Sequence, residues 1–177
     1  MGDDAWPVLE SVTEYETGWY DGGYDLVEQP DGSTKRYYWA ALPAAVVVVA
    51  LDGGDVVFVE QYRPTVRDTH LELVAGIVET DEDYEAAGAR ELREEAGLVA
   101  DRVTHVQTVD VATGVLRHER GYVVAEDLSA TERDLDPNEF LSVTRMRRED
   151  AIAAARAAPA NDATLEALLL AEREGFL

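Results

Sequence analysis

Four residues set close together carry the strongest chemical signal in this chain: Arg90, Glu91, Glu94 and Glu95. If residues 83–96 are helical, the backbone turns about 100° per residue, and the three glutamates share roughly one third of the circumference. Carboxylates that close repel one another by about a few tenths of a kcal/mol per pair even in water. A hard divalent cation relieves that repulsion, and an all-oxygen donor set suits magnesium or manganese. Arg90 lies one turn before Glu94 and can offset part of the charge and orient a carboxylate. Taken alone, the same stripe also describes a solvated acidic helix face, which is common in a chain this acidic.

The elements that must position these residues can be read from pattern. Asp83 to Ala96 reads as a helix, with Ala89, Leu92 and Ala96 on a core-facing side and Gly97 as its stop. Before it, Leu71 to Gly76 reads as a short strand. Two valine-rich runs, Ala44–Leu51 and Val56–Tyr62, flank Asp52-Gly53-Gly54-Asp55 and predict a hairpin. Residues 10–45 read as strand-rich, with turns at Asp21-Gly22-Gly23 and at Gln29 to Ser33. The longest apolar stretch, Trp39 to Leu51, is too short to cross a bilayer as a helix and reads as a buried strand. Further strands are expected at 103–111, 119–125 and 141–146. A polar loop is expected at 127–138. A closing helix, Asp162 to Glu174, would be capped by Asn161 or Asp162. Strands and helices do not alternate regularly, so the expected class is α+β rather than a doubly wound sheet.

Composition excludes several functions. The 177 residues suffice for one sizeable core and a small extra lobe. There is no cysteine, so neither a thiolate metal site nor a cysteine nucleophile is available. The net charge is −22, with acids spread along the whole chain, and Lys35 is the only lysine among fifteen basic residues. Such a surface repels nucleic-acid backbones, so no nucleic-acid partner is expected, and it suits a salt-rich interior that screens self-repulsion. The acidic start Met1-Gly2-Asp3-Asp4 does not read as a signal peptide, and no membrane partner is expected. A soluble cytoplasmic protein follows as the expectation.

The full spacing goes further than the glutamates. Gly76, five residues, Glu82, seven residues, then Arg90-Glu91-Leu92, Arg93, Glu94-Glu95, Ala96, Gly97-Leu98 resembles the signature of the Nudix hydrolases at every fixed position. The flanks Glu60-Gln61-Tyr62-Arg63-Pro64 and Leu71 to Gly76 resemble the ADP-ribose pyrophosphatase subfamily. So do Thr113 to Glu119, an acidic stretch up to Glu139, and Asn161-Asp162-Ala163-Thr164. The resemblance implies an α/β/α sandwich around a mixed sheet, occupying residues 44–177. A β-rich lobe, 1–43, would serve dimerisation, giving a homodimer. It implies a magnesium site, with manganese as a substitute, formed by Glu91, Glu94, Glu95 and the Ala75 carbonyl. Glu82 would take part more weakly, and Arg90 would hold the glutamates. The implied reaction is hydrolysis of the diphosphate of a nucleoside diphosphate linked to another group, with ADP-ribose giving AMP and ribose 5-phosphate. Alternatives are another nucleoside diphosphate sugar, a dinucleotide or an oxidised nucleoside triphosphate. A nucleotide-sensing module usually loses a box glutamate. The sequence departs from the pattern at Val74 and Thr113, where prolines are usual, and at Gly88, which weakens a helix by up to about 1 kcal/mol.

The remaining candidates stay open on sequence alone. Arg63 could meet a terminal phosphate or ribose, or pair with Glu72 on the surface. Tyr37, with Tyr38 and Trp39, could stack on a base or serve as core or interface. Glu139 is the candidate base, with Glu119 as rival or further ligand, and Gly76 lines the substrate side of the loop. His70, His105 and His118 show no metal spacing, and no serine sits in a nucleophile-elbow pattern.

Overall fold

The computed structural model describes residues 5–135 and 137–177. The acidic first four residues and Asp136 lie outside them. The strands are β1 (Val8–Glu16), β2 (Asp21–Glu28), β3 (Thr34–Ala41), β4 (Ala45–Asp52), β5 (Asp55–Arg63), β6 (Asp68–Glu72) and β7 (Val74–Ile77). Helix α1 (Tyr84–Ala96) follows, then β8 (Leu98–Asp110), β9 (Leu116–Arg117), β10 (Glu119–Ala130) and β11 (Leu141–Arg147). Two helices close the chain, α2 (Arg148–Ala155) and α3 (Asp162–Arg173). They group into two compact units. One runs to Ala44 and takes in Val109–Glu119; the other comprises Ala45–Thr108 and Arg120–Leu177.

In the first unit the strand order is β1-β2-β3-β9. Asp21-Gly22-Gly23, expected as a turn, instead opens strand β2. The turn lies one step earlier, where the Thr17 amide and hydroxyl both donate to the Tyr20 carbonyl. The glycines are there for closeness. A Cβ on Gly22 would fall 2.1 Å from the Tyr15 ring, and one on Gly23 would fall 1.9 Å from the Val12 carbonyl oxygen. The Gln29–Ser33 turn forms where expected, with Gly32 at φ 80°. The apolar run from Trp39 is broken at 42–44, around Pro43, into β3 and β4.

The second unit is built on a seven-stranded mixed sheet, β11-β5-β4-β10-β8, with β6 on β5 and β7 on β4. The hairpin of β4 and β5 is antiparallel, while β10 runs parallel to β4 with Tyr122 opposite Val47. Strand alternation then divides the core in two. Val46, Val48, Val57, Val59, Val74 and Val123 pack with Ala87 and Leu92 of α1. The intervening residues Val47, Val49, Phe58 and Tyr122 are equally buried, as are Ala151 and Ala155 of α2 and Ala167, Leu168 and Ala171 of α3. The Tyr122 hydroxyl donates to Glu166 of α3, tying that helix to the face opposite α1. Two helical layers thus enclose one sheet in an α+β sandwich, each fully buried aliphatic side chain contributing about 1.5–3 kcal/mol.

Two expectations need correction in this unit. Strand β10 runs to Ala130, so residues 127–130 extend the sheet rather than opening the loop. Gly88, which looked like a weak point of α1, is required by packing: a Cβ there would fall 2.7 Å from Val123 Cγ2. No helix among the described residues is long and apolar enough to cross a membrane.

Candidate active site

Helix α1 is fixed at both ends by its own sequence. The Asp83 side chain accepts from the Ala86 amide at 2.8 Å, and Gly97, at φ 65°, donates back to Arg93. Its buried face differs from the expected one. Ala87, Gly88, Glu91, Leu92 and Glu95 are buried, whereas Ala89 and Ala96 are only half-buried. Two of the three glutamates therefore point inward, toward the β7 edge of the sheet, and Glu94 stays partly exposed.

Strand β7 receives them. The Ala75 amide donates to Glu95 Oε2 at 3.3 Å. The Glu91 carboxylate lies directly over Gly76, where a Cβ would come within 1.9–2.4 Å of its oxygens and carbon. Only glycine leaves that space. Arg90 binds the cluster from the other side. It grips Glu82 with Nε at 2.9 Å and Nη2 at 3.0 Å, and it reaches Glu91 at 2.8 Å and Glu94 at 3.2 Å through Nη1. Nη2 also donates to the Ile77 carbonyl at 2.8 Å, which ties α1 to the end of β7.

The electrostatics show an excess of acid. Arg90 is held firmly charged, chiefly by Glu82, and Glu82 is lowered from its usual range by its bond to Arg90. Burial raises Glu91 despite Arg90. Burial first, and then the charge of Glu91, push Glu95 up to about 8. Glu139 adds to both shifts, so the loop acid lies within electrostatic reach of the buried pair. With Glu79, Arg90, Glu91, Glu94 and Asp134 it lines a polar cavity of about 230 Å³. The loop carrying it is anchored on α1: Thr131 donates to the Gly97 carbonyl at 2.8 Å and Asp134 to the Glu94 carbonyl at 3.2 Å.

Among the described residues, no three acidic or histidine side chains are gathered tightly enough to hold a metal as they stand. Arg90 itself takes up part of Glu91 and Glu94. The donor set nonetheless fits a hard divalent cation: it is all oxygen, partly buried and short of positive charge, and the glycine cradle seats one of its carboxylates.

The other candidates fall elsewhere. Arg63 is paired with Glu72, as one of its two readings expected, at 2.5 Å. On the backbone it lies at the end of the β5–β11 pair that leads to Glu139, since Leu141 stands opposite Gln61. Tyr37 belongs to the first unit, where Trp6 packs edge-on at 6.1 Å and Lys35 sits 5.1 Å from its ring centre. The face of Trp39 is covered by Arg117 at 4.0 Å. Glu119 also belongs to the first unit, in an open hollow with Asp110, Thr113, Leu116, Arg117 and His118. The three histidines do not converge: His118 Nδ1 donates to the Pro43 carbonyl at 2.7 Å, His105 stacks on Tyr84, and His70 lies on β6. Glu79, in the box cavity, escaped the sequence reading, although it sits one short turn before Glu82 and its amide donates to that carboxylate at 3.1 Å.

This sandwich, with its glutamate helix packed on a glycine-floored strand, is the architecture the sequence resemblance led us to expect. A NUDIX domain model matches residues 41–168. The chain belongs to the Nudix family. It is 34% identical over 129 residues to the ADP-ribose pyrophosphatase of Bacillus subtilis (strain 168), covering 71% of this chain and 70% of that protein. It is 30% identical over 131 residues to the methanol dehydrogenase activator of Bacillus methanolicus, covering 72% and 71%. A crystal structure of an ADP compounds hydrolase superposes with a TM-score of 0.84 over 100% of both chains at 20% identity, which speaks to the fold alone.

Proposed function

We infer that this chain is a metal-dependent Nudix pyrophosphohydrolase acting on ADP-ribose. Water attacks one phosphorus of the diphosphate, the bridging P–O bond breaks, and AMP and ribose 5-phosphate leave. One observation carries the reading: Glu82, Arg90, Glu91, Glu94 and Glu95 are all present and gathered against Ala75 and Gly76. The identity to the Bacillus subtilis ADP-ribose pyrophosphatase supports the substrate.

Glu91, Glu94, Glu95 and the Ala75 carbonyl would hold magnesium, with manganese as a substitute. Bound there, the metal supplies Lewis acidity toward the phosphoryl oxygens and a more acidic water. The chain's own residues do the rest. Arg90 keeps the glutamates in register through its bidentate grip on Glu82. Glu139 accepts the proton of the attacking water. Arg63 binds on the phosphate side, and Gly76, lacking a side chain, leaves the Glu91 carboxylate its place beside the substrate. The exposed apolar residues of the first unit, among them Trp6, Val8, Leu9, Trp19 and Tyr38, support a homodimer formed through this lobe. The net charge of −22 supports function in a salt-rich cytoplasm.

The test is incubation with magnesium, at low and at molar salt, with ADP-ribose, a nucleoside diphosphate glucose, NADH and a diadenosine polyphosphate. Products are read by mass, and the dimer by light scattering at the same salts. Fastest cleavage of ADP-ribose to AMP is expected. A different winner would overturn the substrate assignment. Nucleotide binding without turnover at any salt would overturn the enzymatic reading in favour of a sensor.

A further inference from the structure

The second unit holds another acid–arginine cluster, outside the glutamate box. Glu72, the last residue of β6, is 4% exposed and accepts from three side chains. Arg63 donates through Nε, at 3.1 and 3.2 Å, and through Nη2 at 2.5 Å. Gln61 donates at 3.2 Å and Asn161 at 3.0 Å. A buried carboxylate this fully occupied has little capacity left for a ligand, so its effect lies in what it holds. What it holds is Arg63. The grip is on Nε and Nη2 while the side chain stays 43% exposed, which leaves a charged donor edge open to a ligand.

Asn161 works in two directions. Its Oδ1 accepts from the Thr164 amide at 3.0 Å and caps α3, while its Nδ2 donates to Glu72. One turn on, the Thr164 hydroxyl accepts from the Leu73 amide at 3.1 Å. The start of the C-terminal helix thus clamps Glu72 and Leu73, and the strand continues directly into Ala75 and Gly76 under the box. Strand β11 runs antiparallel to β5 with Leu141 opposite Gln61, so Arg63 lies at the same end of that pair as Glu139, which lines the box cavity with Glu91 and Glu94.

We propose that Glu72 and Asn161 are positioning residues that lock the Arg63 guanidinium beside the glutamate box, where it binds a phosphoryl oxygen of the diphosphate substrate. The inference rests on the hydrolase reading above and deepens it: the helix cap is also a support for substrate binding. An arginine held bidentate loses little freedom when it meets a phosphate, whereas a released one must be ordered first.

Asn161→Asp and Asn161→Ser separate the two jobs of this residue. Both keep an acceptor suited to the cap. The aspartate cannot donate to Glu72, and the serine is too short to reach it. Each is compared with Arg63→Ala and with the double variants, by KM and kcat for ADP-ribose and by calorimetric affinity for inorganic pyrophosphate. Both Asn161 variants are expected to raise KM and weaken pyrophosphate about tenfold, with kcat moving less; the serine is expected to melt within about 4 °C of the parent and the aspartate, which sets a like charge against buried Glu72, lower. In the Arg63→Ala background they are expected to add less than about twofold, because they act through that side chain. Unchanged KM and affinity, or full multiplication with Arg63→Ala, would overturn the proposal. If the parent does not cut ADP-ribose while pyrophosphate affinity falls as stated, the substrate reading fails and the positioning role stands. Normal turnover with unmoved affinity is the reverse.

Discussion

The two acid–arginine clusters of the second unit are built on opposite principles. Around Arg90, the carboxylates of Glu82, Glu91 and Glu94 compete for one guanidinium, and Glu95 behind them accepts from the Ala75 amide. Around Glu72, three donors compete for one carboxylate. The first cluster is short of positive charge and would be completed by a cation. The second is complete in itself and serves to hold a side chain still. Identical chemistry on the same sheet would thus serve binding in one place and rigidity in the other, with the ratio of donors to acceptors deciding which.

The largest expected effect comes from removing a ligand at the deficient cluster. Glu94→Gln or Glu95→Gln should lower kcat for ADP-ribose on the order of 10³-fold, measured as AMP released in magnesium. A near-parental rate would mean that the acid surplus is not the metal site. Next comes the cradle. Gly76→Ala puts a methyl where the Glu91 carboxylate lies and should cost on the order of 10²-fold, accompanied by weaker magnesium affinity.

Stability sharpens the contrast, because the same substitution should act with opposite sign. Glu72→Gln unbalances a saturated, buried carboxylate and should destabilise the protein by about 1–2 kcal/mol in urea unfolding, reduced from the fully buried case because Arg63 is 43% exposed. Glu95→Gln should stabilise the metal-free protein at pH 8, by about 3 °C in Tm. The sign follows from linkage. Glu95 titrates near 8 in the folded chain against 4.5 ordinarily. Below about pH 4.5 both states carry its proton and the penalty is absent. As pH rises toward 8 the unfolded chain releases that proton while the folded chain keeps it, so stability falls across this window. Calorimetry of the metal-free protein should show that decline, magnesium should offset it most at the alkaline end, and Glu95→Gln should flatten it. An unchanged slope in the variant would mean that Glu95 is not the group responsible.

The smallest effect lies behind the box. Gly88→Ala gains about 1 kcal/mol of helix propensity but forces a methyl 2.7 Å from Val123 Cγ2, and overpacking of about 1–3 kcal/mol should leave a net loss near 1 kcal/mol in urea unfolding. A stabilised variant would show that α1 can shift on the sheet, and with it the register of the glutamates.

The parts of the molecule legible in advance are those set by short-range rules. The start of α1 near Asp83, the Gly97 stop, the β4–β5 hairpin and the Asn161 cap each depend on residues a few positions apart. Helix α2 was not legible: Arg147 makes no side-chain cap bond, and the alanine-rich segment after it has no clear apolar stripe, only Ala151 and Ala155 buried. The return of Val109–Glu119 to the first unit was not legible either, since β9 is only two residues long and pairs with β3, more than seventy positions away.

By itself the sequence determined the Nudix spacing, the helix that displays it, the hard-oxygen donor set and the acid excess, because a helix of fixed pitch converts spacing into a shared face. Tertiary structure alone decided which side of that face is buried. It turned Glu91 and Glu95 under the sheet edge, gave Gly88 a reason to exist, and used the cap of the last helix to hold Arg63 in place. Those outcomes depend on contacts between residues up to about a hundred positions apart, which the order of the sequence does not encode locally.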